Sequence, residues 1–230
     1  MRLLSENLAA RRGEDLIFSQ VSFDIGAGEA LLLTGRNGSG KSTLLRVIAG
    51  LIRPAAGRVH WQDDSVSEAV PACEACHYLG HRNAMKPELT VKENLAFWQD
   101  CLGDRPGRQG IGVDEAADRV ELRSILHLPF GYLSAGQQRR MAFAKLLVAH
   151  RPVWLLDEPT AALDVGAEAL FSQLIRTHLA TGGLVLAATH QPLDFKARHR
   201  LEMKGFAFAG MEGEMPGGAE GGIFAGGDDR

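Results

Sequence analysis

The chain has 230 residues, 45% of them hydrophobic and 23% charged, with a formal net charge of −3. That length suits one domain with an ample core and is cramped for two, and the charge gives no overall attraction to nucleic acid, so no nucleic-acid partner is expected. No apolar run approaches the ~20 residues that span a bilayer, Met1-Arg2-Leu3-Leu4-Ser5-Glu6 lacks the apolar stretch of a secretory signal, and three cysteines fit reduced thiols better than a disulfide framework, so a cytoplasmic protein is expected.

In chain order, Val21, Phe23 and Ile25 alternate with Ser22 and Asp24 as in a half-buried strand, Gly26-Ala27-Gly28 turns the chain, and Ala30 to Thr34 reads as a short buried strand. Gly35 to Gly40 predicts a loop. From Lys41 the apolar residues Leu44, Leu45, Val47, Ile48 and Leu51 recur at helical spacing, with Gly50 and Pro54 marking the stop. Residues 84 to 149 read as a mainly helical insert: Val91, Leu95, Phe97 and Trp98 form one pattern, Ala116, Val120, Ile125 and Leu126 another, and Gln137 to Ala149 a third helical run. Val153 to Leu156 predicts a second buried strand, Gly166 to Leu179 a helix, and Leu184 to Ala188 a third strand after the Gly182-Gly183 break. Strands alternating with helices imply an α/β core built on a parallel sheet, occupying residues 1–204. Residues 205–230 are glycine-rich with scattered acids and no periodicity, so a flexible tail outside the fold is expected. The absence of an internal repeat excludes a duplicated two-domain protein.

Gly35-Arg36-Asn37-Gly38-Ser39-Gly40-Lys41-Ser42 matches G-x-x-x-x-G-K-[ST] between an expected strand and an expected helix. Glycines at these places let backbone N–H groups wrap phosphates, Lys41 reaches the β- and γ-phosphates, the Ser42 hydroxyl ligates Mg²⁺, and Thr43 adjoins the same site. Asp157 ends an apolar strand, where a carboxylate can hold Mg²⁺ through its water shell; Glu158 follows and can orient and polarise an attacking water. The competing interpretation of that pair is a solvated acidic turn before Pro159. His190 lies beyond another core strand, a place for a γ-phosphate sensor, although a lone histidine is more often structural. Leu133-Ser134-Ala135-Gly136-Gln137 opens a helical run, and its free N–H groups and dipole can hold an anion.

Taken together, the phosphate loop, Leu133-Ser134-Ala135-Gly136-Gln137, Asp157-Glu158, Ala161-Ala162-Leu163-Asp164 and His190 resemble, in order and rough spacing, the motifs of the ATP-binding cassette ATPases, over residues 1 to about 204. The resemblance implies a P-loop core with a parallel sheet, an N-terminal antiparallel β subdomain and an inserted helical subdomain at about 84–149. It implies ATP and Mg²⁺, a head-to-tail dimer in which Ser134 and Gly136 of one copy face the γ-phosphate held by the other, Asp164 near that junction, Glu158 as general base and His190 as switch residue. Arg12 stands where most members carry an aromatic that stacks on adenine, and a guanidinium can also stack on a flat ring. His81 stands where a glutamine usually links Mg²⁺ to the contact with membrane subunits.

A finer resemblance, to the heme-exporter branch serving cytochrome c biogenesis, lies in Arg12-Gly13-Glu14-Asp15-Leu16-Ile17-Phe18, Leu79-Gly80-His81, Lys86-Pro87-Glu88-Leu89-Thr90, Glu93-Asn94-Leu95, the extension Gln138-Arg139-Arg140, and Thr189-His190-Gln191-Pro192. It implies a peripheral subunit docked on membrane permease subunits at the cytoplasmic side of the inner membrane, with hydrolysis serving heme export or release of a heme-loaded chaperone. The alternatives are the ATPase of another small-substrate transporter, a cassette ATPase acting on nucleic acid, and a metal- or heme-binding module. The last draws on Cys73-Glu74-Ala75-Cys76-His77, which matches the C-x-x-C-H pattern of covalent heme attachment. Such attachment happens outside the cytoplasm, so the match is read as coincidence, against Zn²⁺ or transient heme binding by Cys73, Cys76 and His77.

Overall fold

A computed structural model describes residues 1–63, 69–104, 109–160, 163–189 and 197–205. Strands β1 (Arg2–Arg12), β2 (Asp15–Gly26), β4 (Ala56–Gln62) and β5 (Val70–Pro71) form an antiparallel sheet in the order β2-β1-β4-β5. Strands β3 (Ala30–Thr34), β6 (Cys76–Leu79), β7 (Val153–Asp157), β8 (Leu184–Ala188) and β9 (His199–Glu202) form a parallel sheet in the order β6-β7-β8-β3-β9. The helices are α1 (Lys41–Ile48), α2 (Val91–Leu102), α3 (Val113–Arg119), α4 (Ala135–Val148) and α5 (Val165–Ala180).

Every residue of β7 and β8 is buried, because helices or strands cover both faces of the parallel sheet. The pleat then assigns alternate residues to different cores. Val153 and Leu155 of β7, Leu184, Leu186 and Ala188 of β8, and Leu31 and Leu33 of β3 pack with Leu44, Leu45, Val47 and Ile48 of α1 and with the antiparallel sheet. Trp154 and Leu156, Val185 and Ala187, and Ala30 pack on the opposite side with Met141, Phe143 and Leu146 of α4, Val91 and Leu95 of α2, and Phe171 and Ile175 of α5. Each fully buried Leu, Ile or Phe contributes on the order of 1.5–3 kcal/mol. Helix α1 is therefore held between the two sheets, while α2 to α5 form a layer on the far face of the parallel sheet.

Local chemistry sets the helix ends. Thr90 accepts from the Glu93 amide and the Glu93 carboxylate accepts from the Thr90 amide, a capping box that starts α2; Ser134 and Gln137 form the same device for α4. Helix α4 thus begins at Ala135, two residues before Gln137. The pattern Ala116, Val120, Ile125, Leu126 is not one helix. Helix α3 stops at Arg119, Glu121 takes the left-handed conformation at φ +60°, and Ile125 lies in a separate 3₁₀ turn. In α4, burial pulls the Lys145 ammonium down to about 8, Arg139 adding a smaller push; the ammonium rests over the Trp98 ring, 4.6 Å from its centre.

At the entrance to β8, the His178 ring stacks on Trp154 at 4.0 Å between centroids, and its Nε2 lies 3.1 Å from the Pro152 carbonyl. A Cβ on Gly183 would fall 2.3 Å from that nitrogen. Gly183→Ala should therefore cost roughly 1–3 kcal/mol through overpacking, measured as a lower urea midpoint with an unchanged m-value; an unshifted midpoint would mean that the ring moves aside freely.

Candidate functional site

The phosphate loop joins β3 to α1. Gly35, Gly38 and Gly40 have φ of +134°, +80° and +98°, a conformation that L side chains rarely adopt. At Gly35 there is also no space: a Cβ would meet the Met203 carbonyl oxygen at 2.4 Å and Ser39 Oγ at 2.7 Å. Arg36 and Asn37 are exposed at the rim, whereas Ser39, Gly40 and Lys41 are buried. Lys41 Nζ donates to the carbonyls of Gly35 (2.7 Å) and Arg36 (3.1 Å), holding the loop curled around its own ammonium. Ser39 Oγ is buried without a hydrogen-bond partner among the described residues, a hydroxyl that a phosphate oxygen in the cradle would satisfy. Arg12, exposed at the end of β1, lines one depression with Arg11, Ile17, Thr43, Arg46 and Ile52 beside the start of α1.

Asp157 continues the Val153, Leu155 alternation and so lies on the α1 face of the sheet. There the Ser42 hydroxyl donates to its Oδ1 at 2.7 Å and the Tyr78 hydroxyl to its Oδ2 at 3.1 Å. Tyr78 pairs in register with Leu155 on the neighbouring strand, which gives it the same facing. Its hydroxyl accepts from Arg46 Nε at 3.3 Å, and burial raises its pKa above the ordinary phenol value. Gly80 makes this possible, since a Cβ there would stand 2.9–3.1 Å from Cε1, Oη and Cζ of Tyr78. Tyr78 and Arg46 were not among the residues expected to serve the site; a tyrosine two residues before a glycine at the end of a strand is a weak signal.

Glu158 follows β7 in the left-handed region, φ +47°, with its amide donating to the Ala188 carbonyl at 2.8 Å. Its own carbonyl accepts from Arg139 of α4 at 3.1 Å, and Arg139 is a third residue whose role the sequence did not disclose. Ser134 and Ala135 are exposed, Gly136 and Gln137 half-buried, and Leu133 is buried in the far-face core. Asp164 caps α5 by accepting from the Ala167 amide at 2.7 Å and lies 4.0 Å from Arg140, which also pairs with Glu121. His81 is exposed just past β6. The structure thus brings Ser42 and Asp157 together directly, with Glu158 following Asp157 in the chain. It sets Leu133 to Gln137 on the other side of the sheet from α1. His190, Ala161 and Ala162 lie outside the described residues, as does the tail from residue 206.

Cys73, Cys76 and His77 do not form a ligand set. Cys73 is exposed in a 3₁₀ turn, whereas Cys76 and His77 are consecutive in β6 and so face opposite cores. Among the described residues no group of three or more His, Cys, Asp and Glu is gathered as a metal would require; this overturns the Zn²⁺ alternative. His77 Nε2 donates to the Ala149 carbonyl at the end of α4, 2.6 Å away. Burial, reinforced by the nearby cations Lys145 and Arg151, lowers its pKa to about 3 even though the Ala149 bond acts to raise it. A histidine depressed in this way is neutral when folded and charged when unfolded between about pH 3 and its ordinary 6.5. Its stabilising contribution is complete above pH 6.5 and is lost as pH falls through that window, by about 2 kcal/mol at pH 5. His77→Gln should flatten the decline in unfolding free energy between pH 7 and pH 5 by about that amount; parallel pH profiles for variant and wild type would contradict it.

The ABC transporter family profile matches residues 18–161. The cytochrome c biogenesis ATP-binding export protein CcmA of Agrobacterium fabrum is 63% identical over 207 residues, spanning 90% of this chain and 97% of its own. The protein of that name from Rhizobium meliloti is 65% identical over 206 residues, spanning 90% and 99%. Among solved structures, an ABC transporter ATP-binding protein from Pyrococcus furiosus superposes with a TM-score of 0.72 at 21% identity, covering 88% of this chain and 98% of the other. The ADP conformation of another ATP-binding cassette gives 0.70 at 23% identity, covering 89% and 88%; both show the same fold. The chain is therefore an ATPase that belongs to the ABC transporter ATP-binding family and, within it, to the cytochrome c biogenesis ATP-binding export proteins.

Proposed function

We propose that this chain is the ATP-hydrolysing subunit of an ABC complex in cytochrome c biogenesis. It works as a head-to-tail pair docked on membrane permease subunits at the cytoplasmic side of the inner membrane, and couples hydrolysis to heme export or to release of a heme-loaded chaperone. The observation that carries the mechanistic part is the division of the site by the sheet. The phosphate loop and α1 belong to one core, whereas the helix opened by Ser134 belongs to the other and presents an exposed start. A segment so placed serves a phosphate on a second copy better than one held by its own loop. Among the described residues no helix is long and apolar enough to cross a membrane, consistent with a peripheral role. The cytochrome c assignment rests on the relatives' shared name and on identity across almost their whole length.

In this mechanism the loop amides from Gly35 to Ser42 hold the phosphates, and Lys41 Nζ turns from the Gly35 and Arg36 carbonyls to the β- and γ-phosphates, with Thr43 and Arg12 flanking the nucleotide. Ser42 and Asp157 are hard oxygen donors already 2.7 Å apart, a pair suited to Mg²⁺, which needs only one or two protein oxygens beside phosphates and water. When bound, that ion supplies charge neutralisation at the phosphates. Glu158 orients the attacking water and accepts its proton, and Ser134, Ala135 and Gly136 of the partner copy close over the γ-phosphate while Asp164 shapes the junction. His190 senses the γ-phosphate, and His81 carries the contact with the permease.

Copurification from membranes tests the cellular part: recovery of cytochrome c maturation proteins supports it, and recovery of a permease for another small substrate overturns it. Glu158→Gln should lower kcat about 10²–10⁴-fold while retaining ATP, and should run as a dimer on size exclusion with ATP; hydrolysis at the wild-type rate would remove Glu158 from its role. Tyr78→Phe deletes one hydrogen bond to Asp157 and should raise the Mg²⁺ concentration for half-maximal hydrolysis about tenfold, the equivalent of about 1.4 kcal/mol. An unchanged Mg²⁺ curve would show that Ser42 alone suffices to hold the carboxylate.

A further inference from the structure

We propose that Arg139 is a positioning residue that sets the backbone of Glu158 and ties it to the loop after β6, making the hydrolysis rate dependent on where that loop sits. This rests on the reading of Glu158 as general base.

Arg139 lies in the second turn of α4 with only 8% of its surface exposed. Its Nε donates to the Pro159 carbonyl at 3.1 Å and Nη2 to the Glu158 carbonyl at 3.1 Å. On the other side Nη1 donates to the Gly80 carbonyl at 2.9 Å and to Asn83 Oδ1 at 3.3 Å. One rigid guanidinium therefore joins the ends of two adjacent parallel strands, β6 and β7, to the helix that begins at Ser134. The fork geometry of five donors in a plane permits this, and a lysine ammonium on a flexible stem cannot reproduce it.

These four acceptors are neutral, so the charge is buried without a carboxylate in hydrogen-bond contact. Burial accordingly lowers the guanidinium's pKa from its ordinary value, with Asp157 opposing from a distance. The Phe143 ring, 5.9 Å from the guanidinium carbon, adds a weak cation–π contact. Charge placed here costs stability relative to an apolar side chain of similar volume, so its use has to be sought in what it holds.

What it holds is a strained residue. A non-glycine at φ +47° is strained and persists only where its surroundings over-determine it. Bonds that contribute to this are the Glu158 amide to Ala188 and the Glu158 carbonyl to Arg139. Releasing the carbonyl lets the residue relax toward negative φ and swings its Cβ, and with it the carboxylate, away from the end of β7. At the opposite end, Gly80 and Asn83 flank His81, so displacement of that segment pulls on the same guanidinium. The phosphate loop shares no hydrogen bond with Arg139, and nucleotide binding should be spared.

The test is steady-state ATP hydrolysis by the full chain with MgATP, alongside thermal melts. Arg139→Lys keeps the charge but loses the fork, and should lower kcat at least tenfold with KM for ATP within about twofold of wild type. Asn83→Ala, which loosens the loop end in a half-buried position, should lower kcat severalfold in the wild-type background and have no further effect in Arg139→Lys. A wild-type kcat in Arg139→Lys overturns the proposal, as does a fall in kcat matched by loss of ATP binding. Should Arg139→Lys fail to fold, Asn83→Ala decides: unchanged kcat overturns the link to the loop. Glu158→Gln, measured in parallel, separates the two claims. If it abolishes hydrolysis while Arg139→Lys is unaffected, only the positioning role falls; if it remains active, the general-base assignment falls and the positioning role with it.

Discussion

A parallel sheet buried on both faces leaves each strand residue only two destinations, and the period of two along β7 determines the layout of this ATPase. Val153, Leu155 and Asp157 face α1; Trp154 and Leu156 face the helical layer. One further residue in the strand would turn Asp157 away from Ser42 and into the apolar side of α2 to α5. The same parity in β6 sends Tyr78 toward Asp157 and His77 toward the end of α4. Two residues adjacent in sequence thereby serve different layers, one at the phosphate site and one as a neutral helix-end donor. The C-x-x-C-H resemblance is broken for the same reason.

On the α1 side the polar groups form a chain, Arg46 to Tyr78 to Asp157 with Ser42 donating from the opposite edge. Each member fixes the next: the guanidinium fixes the phenol, and the phenol and the serine hydroxyl fix both carboxylate oxygens. A carboxylate restrained on both oxygens has little freedom to reorient. Gly80 belongs to this assembly although it carries no chemistry, because any side chain there would displace the Tyr78 ring.

The helical layer works differently, through two buried cations and one neutral histidine whose partners are carbonyls and rings. Arg139 meets four neutral acceptors, Lys145 rests on Trp98, and His77 remains neutral against Ala149. Such groups are costly in a low-dielectric interior. Arg139 sits where α4 meets the loops ending β6 and β7, at the junction between the segment beginning at Ser134 and Glu158, whereas Lys145 and His77 lie toward the far end of α4. Glu158 itself, in a left-handed backbone, stores strain at the same junction.

Much of the frame was legible in the sequence. The apolar runs at Ala30 to Thr34, Val153 to Leu156 and Leu184 to Ala188 lie in β3, β7 and β8, because burial on both faces leaves a local, uninterrupted signal, and the helical spacing from Lys41 lies in α1 as far as Ile48, Leu51 falling beyond its end and exposed. Strands β1, β4, β6 and β9 carried no such signal; β6 has four residues and begins inside the cysteine motif, and β9 alternates exposed and half-buried positions at the sheet's edge. The phosphate loop could be read from eight consecutive residues because its chemistry is backbone chemistry, specified by glycine φ angles and one lysine. Tyr78 and Arg139 could not, since their partners lie 79 residues away at Asp157 and 59 residues away at Gly80. What the sequence by itself determined is the local conformations and the residue types of the phosphate-loop motif. Only the tertiary structure decided which side chains meet across the sheet, because that depends on strand order and pleat parity, properties of the assembled sheet that no single segment contains.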